Sequence, residues 1–143
     1  MTFAGINYLA ILIAAVAGWL TGALYYGVLG KQWVAAQGRT MEEFKAQQAE
    51  MIGKLAGQVP FIIALLANLV MAWVLAGIVG HMGMVTIRSA VISALFAWAG
   101  FIVTTILVNN AFSGRSYALT AIDAGHWLFA LLVMGVVIGW MGV

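Results

Sequence analysis

The sequence predicts an all-α integral membrane protein, a bundle of four transmembrane helices, and three observations predict it. First, 65% of its 143 residues are hydrophobic and only 7% are charged, whereas charged residues make up about 25% of a soluble domain. Second, residues 1–30, 55–87 and 89–114 carry no Asp, Glu, Lys or Arg, and a fourth stretch, 118–141, is interrupted only by Asp123 and His126. Each exceeds the roughly 20 apolar residues a helix needs to cross the hydrocarbon core. Third, the stretches are continuously apolar, whereas barrel strands alternate. Spanning segments must satisfy their own backbone groups, so helices are the remaining solution.

The first span is expected over about 3–29. It lacks a basic n-region and is far longer than the apolar core of a signal peptide, so it reads as a retained helix. Ala10, Ala14, Gly18 and Gly22 form a ladder of small residues at four-residue spacing, the pattern that lets membrane helices approach closely. The polar connection Lys31–Gln58 follows. In it, Thr40 and Glu43 have capping-box spacing, opening an expected interfacial helix over about 40–56. Met41, Phe44, Met51, Ile52 and Leu55 gather on one face, opposite Glu42, Lys45 and Glu50. That helix can lie in the lipid boundary or cover the mouth of a cavity.

The second span is expected over about 59–80, with Pro60 in its first turn and a ladder of Ala64, Asn68, Ala72, Ala76 and Gly80. A buried amide at Asn68 needs a partner and suits an interhelical clamp. The connection 81–88 brings His81, Met82 and Met84 together. Imidazole and thioether ligands would suit Cu(I), but this is a weak metal candidate and no metal is assigned. The third span, about 89–112, carries Ser89, Ser93 and Ala97, and the same spacing continues through Phe101 and Thr105 to Asn109. After a short turn holding Arg115, the fourth span, about 118–141, pairs Ala121 with Gly125 and Gly135 with Gly139.

Four crossings place Lys31, Arg39, Lys45, Lys54 and Arg115 on one side and Arg88 on the other. Loops rich in Lys and Arg stay cytoplasmic, so both termini are expected outside a bacterial inner membrane. The ends of spans one and three share a size pattern closing in Gly plus a base, at Gly30-Lys31 and Gly114-Arg115. Residues 78–83 likewise echo 137–142. The sequence therefore admits two repeated hairpins of equal orientation.

The polar residues near the cytoplasmic side form the sharpest constellation: Asn109, Asn110, Arg115, Asp123 and His126. An ionisable residue inside a span is costly enough to mark a functional site by default. An Asp with a His at i+3 can relay a proton or bind a cation or polar solute. Equally, an acid near a helix start suits the macrodipole, and Asp123 can pair with Arg115 to tie the hairpin. No second acid lies inside the spans and no hydrolytic arrangement accompanies the pair, so an enzyme is not expected. Without cysteine there is no disulfide or thiolate chemistry. The net charge of +2 is spread along loops and helix ends and implies no nucleic-acid partner. No cofactor is expected. The expected partners are the lipid bilayer and either a second copy or a larger membrane complex.

Tyr25-Tyr26-Gly27 through Trp33, the segment Asn109-Asn110-Ala111-Phe112-Ser113-Gly114-Arg115, Gly125-His126 and the final Gly139-Trp140 together resemble the small four-span bacterial membrane proteins of domain-of-unknown-function family 1761. The resemblance covers nearly the whole chain and implies a four-span inner-membrane protein without an assigned activity. Members often carry Asn where this chain has Asp123. The expectation is a non-enzymatic binding or accessory membrane subunit. The alternative is a small-solute or ion transporter using a cytoplasmic-side site on helices three and four.

Overall fold

The computed structural model describes residues 2–3 and 6–143, with side chains from Ile6 onward. Two short strands, β1 (Thr2–Phe3) and β2 (Ile6–Asn7), pair antiparallel ahead of the first helix. Helices α1 (Tyr8–Ala36), α2 (Met41–Met51) and α3 (Leu55–His81) follow. The third span runs Ile87–Phe112: α4 (Ile87–Ala97), a π-helical segment Trp98–Val103, then α5 (Thr104–Phe112). Helix α6 (Tyr117–Met141) is the fourth. The four long helices have mean hydropathies of 1.8 to 2.5 and are long and apolar enough to span a membrane. This is a multi-pass membrane protein.

Capping explains where the elements begin and end. The first span is expected from residue 3, but α1 starts at Tyr8 because Asn7 accepts a hydrogen bond from the Ala10 N–H at 3.2 Å. Residues 4 and 5 of the expected span lie outside the described residues. At its other end α1 runs past residue 29 to Ala36. Gly30-Lys31 contains no obligatory stop, and the helix closes at Gly38, whose φ of +73° lets Arg39 N–H reach the Val34 carbonyl. The interfacial helix expected over 40–56 is shorter: Ile52 caps α2, and Leu55 is already the first residue of α3. With α3 starting there, Pro60 falls beyond the first turn, in an exposed segment.

The two expected hairpin repeats agree at one end only. Gly83 and Gly142 both follow helix ends at positive φ, whereas Gly114 has φ +64° in a turn and its counterpart Gly30 sits inside α1.

Helix α6 is the centre of the bundle. Protein covers 39% of its apolar window, against 11% for the third span. Its two flanks are α1 and α4. Ser116 Oγ donates to the Ala36 carbonyl at 2.6 Å at one end, and Asn7 Nδ2 donates to the Met141 carbonyl at 3.2 Å at the other. Ala10, Ala14, Gly18 and Gly22 are all buried, so the α1 ladder faces the bundle. Alanine side chains at Gly135 and Gly139 would meet the α4 backbone around Ala90 and Ile87. In lipid such close approach supplies the van der Waals attraction that holds helices together.

The third span departs from the expected ladder. The row that faces inward lies one position on from that ladder and keeps four-residue spacing through the π turn, whose extra residue offsets the drift of such a row on a helix of 3.6 residues per turn. Ala90 and Ala94 face the core, Trp98 follows, and the inward row continues as Ile102, Ile106 and Asn110. Phe101, Thr105 and Asn109, which continue the ladder by spacing, are exposed instead. Thr104 Oγ1 donates to the Gly100 carbonyl at 2.8 Å within the widened turn.

The sealed core lies in the half of the bundle holding the chain termini. Ile11, Ala14, Ala15, Ala72, Leu75, Ala76, Val79, Ala90, Ala94, Leu131, Met134 and Ile138 form it. Ser93, beside it, spends its hydroxyl on its own helix at the Ser89 carbonyl.

Candidate functional site

The opposite half, at the end bearing Lys31, Arg39, Lys54 and Arg115, holds the buried polar groups other than Ser93. Asp123 lies about 9 Å into α6 at 1.5 Å per residue. Its neighbours come from α1. Tyr26 donates its hydroxyl to Asp123 Oδ1 at 2.8 Å, and Trp33 donates Nε1 to the same oxygen at 3.0 Å. These donors are about two helical turns apart on α1 and both reach the carboxylate across the α1–α6 interface. Among the described residues Oδ2 has no protein donor.

The expected tie between Asp123 and Arg115 is replaced by this arrangement. Arg115 sits exposed in the turn before α6, where it lines an open groove with residues 35–38 and 113–116. Asp123 is eight residues, roughly two helical turns, further on and bonded to α1, so the short hairpin is tied by other groups. Asn110 Nδ2 donates to Thr120 Oγ1 at 3.0 Å. Asn109, one residue off the inward row, is exposed and does not join the cluster. The five expected site residues therefore separate into three places: Asp123 with His126, Asn110 with Thr120, and Asn109 and Arg115 on the surface.

His126 is 8% exposed and enclosed by aromatics. Its ring centroid lies 4.9 Å from Tyr26, 5.9 Å from Tyr25 and 4.6 Å from Trp127. A Cβ on Gly22 would fall 2.6 Å from His126 Nε2, and one on Gly125 would fall 2.5 Å from the Tyr25 hydroxyl. The glycines at 22 and 125 thus admit polar side-chain tips, a role distinct from backbone contact. Gly18, one turn deeper, makes room for the end of Met134 and for Asn68, whose Oδ1 would lie 2.7 Å from a Cβ there. Asn68 is 2% exposed. Its Nδ2 donates to the Ala64 carbonyl of its own helix at 2.7 Å, and Oδ1 is buried without a partner. The interhelical clamp expected of Asn68 is therefore absent, because the amide is turned back onto α3.

Asp123, His126 and Asn68 descend along α1 at successive levels, from Tyr26 through Gly22 to Gly18. Beyond Asn68 lies the apolar core. The π-helical segment supports this column from the far side, where Trp98 Nε1 donates to the Ala124 carbonyl at 2.7 Å. An apolar groove of about 260 Å³ lies beside that segment among spans two, three and four, lined by Met71, Phe101, Ile102, Thr105, Ile106 and Trp127.

Outside the spans, Phe44 of α2 packs edge-on against Trp33, with centroids 5.9 Å apart at 84°. The Thr40 backbone N–H, donating to Glu43 Oε2 at 2.9 Å, and then the Thr40 side chain hold the Glu43 carboxyl below the usual range. His81, Met82 and Met84 lie exposed around the α3–α4 turn. Among the described residues no three His, Cys, Asp or Glu side chains gather as a metal site.

Tyr26 and Trp33 are site residues that the polar constellation expected from the sequence does not include. The signal that could have found them is their spacing: seven residues apart, they share a helix face, and the lone acid of the spans needs donors.

No curated protein and no solved structure matches the chain. The family model described as protein of unknown function (DUF1761) matches residues 9–139, and the chain belongs to that family.

Proposed function

We propose that this DUF1761 protein is a non-enzymatic subunit of a bacterial inner membrane that binds a small cation or cationic group at Asp123, reached from the cytoplasmic side. The observation that carries this reading is the pairing of a one-sided carboxylate with a closed bundle behind it. Asp123 Oδ1 is held by two neutral donors, and Oδ2 is left for a ligand. A carboxylate inside a span is expensive unless its charge is matched, and a bound cation would match it. Tyr26, Trp33 and His126 would line the approach, with ring faces that favour positive charge.

The apolar core past Asn68 favours binding over passage. A transporter needs access from both sides to one site, and the buried polar column stops near the middle of the bundle. The surplus of bases at the Asp123 end supports the cytoplasmic orientation.

The test is paired. Equilibrium binding of sodium, potassium and methylammonium to the purified protein should include at least one saturable ion, and Asp123→Asn should abolish it. Liposome flux of that ion should equal the empty-vesicle rate for wild type, Asp123→Asn and His126→Ala. Flux above empty vesicles that falls in both variants would overturn the reading in favour of transport. Purification in mild detergent bears on the accessory role, which recovery of the bare protein alone under several conditions would count against.

A further inference from the structure

Trp33 is restrained from two sides by different parts of the chain. Its indole N–H is held by Asp123 Oδ1 at 3.0 Å, and its ring is held by Phe44 of α2. Phe44 is in turn braced by Arg39, whose guanidinium lies 5.6 Å from the ring centroid and donates to Gln47 Oε1 at 2.7 Å. None of the residues of α2 is buried; besides Phe44, its last residue Met51 lies close to Gly57 at the start of α3. The segment is bounded by Gly38 and Gly53, at φ +73° and +77°, with open space where a Cβ would stand. These are two points at which the chain can pivot without displacing packed side chains.

We propose that α2 is a movable cover of the Asp123 site and that Trp33 is the positioning residue through which its seating reaches the carboxylate. The proposal rests on Asp123 being the binding group and names how that site is regulated. With α2 seated, Phe44 confines the Trp33 ring to the orientation in which Nε1 meets Oδ1. With α2 lifted, the ring regains rotamer freedom, one of the two donors is released and the carboxylate opens toward the basic end. Linkage makes the coupling reciprocal. A cation that draws Asp123 away from Trp33 loosens α2, and whatever holds α2 down weakens binding of that cation.

The chain contains no cysteine and its spans contain one acid, so both ends of the coupling can be read cleanly. A nitroxide attached through Gln48→Cys reports the mobility of α2. Modification of Asp123 by dicyclohexylcarbodiimide, followed by mass spectrometry, reports access to the carboxyl group. Both are measured on the full chain in liposomes. Phe44→Ala should mobilise the label and raise Asp123 modification on the order of tenfold, the scale of one lost hydrogen bond to a charged group. Trp33→Phe keeps a ring for Phe44 but removes the donor. It should raise modification by a similar factor while leaving the label immobile. Phe44→Tyr should return both readouts to wild type, which general damage to the bundle would not allow.

The proposal is overturned if Phe44→Ala frees α2 but leaves the Asp123 rate unchanged, or if Phe44→Ala leaves α2 immobile. It is also overturned if Trp33→Phe leaves the rate unchanged. These readouts need no ligand, so they stand or fall separately from cation binding. Loss of binding specificity at Asp123 with intact coupling would indict only the proposed ligand.

Discussion

Replacing Gly139 by alanine should destabilise the bundle by about 1–3 kcal/mol, the usual cost of overpacking, whereas the same change at Gly77 should leave it unchanged or stabilise it by up to about 1 kcal/mol. Both glycines lie inside long helices, where alanine is intrinsically the better residue. The difference comes from what each new methyl meets. At Gly139 it would fall 2.5 Å from Ile87 Cα, 2.6 Å from Ile87 N and 2.6 Å from the Thr86 carbonyl oxygen. These are backbone atoms at the capped start of α4, where Ser89 and Thr86 bond reciprocally, so none of them can rotate away. The helices must separate, which loosens the packing along the α4–α6 seam. At Gly77 nothing lies within 4 Å, and the methyl would enter lipid. The assay is reversible unfolding of the purified protein in mixed micelles with increasing SDS, comparing each variant with wild type. Equal shifts at the two positions would refute the argument, because helix propensity alone would then account for both.

Three further outcomes are expected. In a double-mutant cycle, Tyr26→Phe and Trp33→Phe should each cost about 1.5–3 kcal/mol in the same unfolding assay and should be non-additive, because both donors serve one oxygen; strict additivity would mean that they act on separate states. Asn68→Leu should be close to neutral, within about 1 kcal/mol, because it removes an acceptor that is buried without a partner; a loss of several kcal/mol would show that Oδ1 has a partner after all. For Glu43 the sign follows from a lowered folded value: its capping contribution is complete above the unfolded value of about 4.3 and is lost as pH falls through the folded value. The nitroxide on α2 should therefore gain mobility only in acid, below that unfolded value, and mobilisation between pH 7 and 5 would contradict that assignment.

The spacing of residues reached some of these features and not others for identifiable reasons. Thr40 and Glu43 are three residues apart, and their reciprocal bonds are a local matter of backbone geometry. Ala10, Ala14, Gly18 and Gly22 lie on one uninterrupted helix, so constant spacing keeps them on one face and that face is buried. The third span keeps the same spacing from Ser89 to Asn109, but the row that faces inward is its neighbour, Ala90 to Asn110, one residue further on. Four-residue spacing alone does not tell which of two adjacent rows meets the bundle. Asp123 shows the other limit, because its donors stand 97 and 90 residues away. Arg115, nearer along the chain, points elsewhere.

Hydrophobicity along the chain determined four spanning helices and the short capped helix between the first two, and the family match agrees with that class. These properties depend on each segment's own exchange of water for lipid and on hydrogen bonds within a few residues. The partners of Asp123, the loss of Asn109 from the cluster and the polar tips admitted by Gly18 and Gly22 were decided only in the tertiary structure. They depend on how α1 and the third span are rotated against α6. In lipid that rotation is set by close packing between helices, because burial of apolar surface no longer distinguishes one face from another.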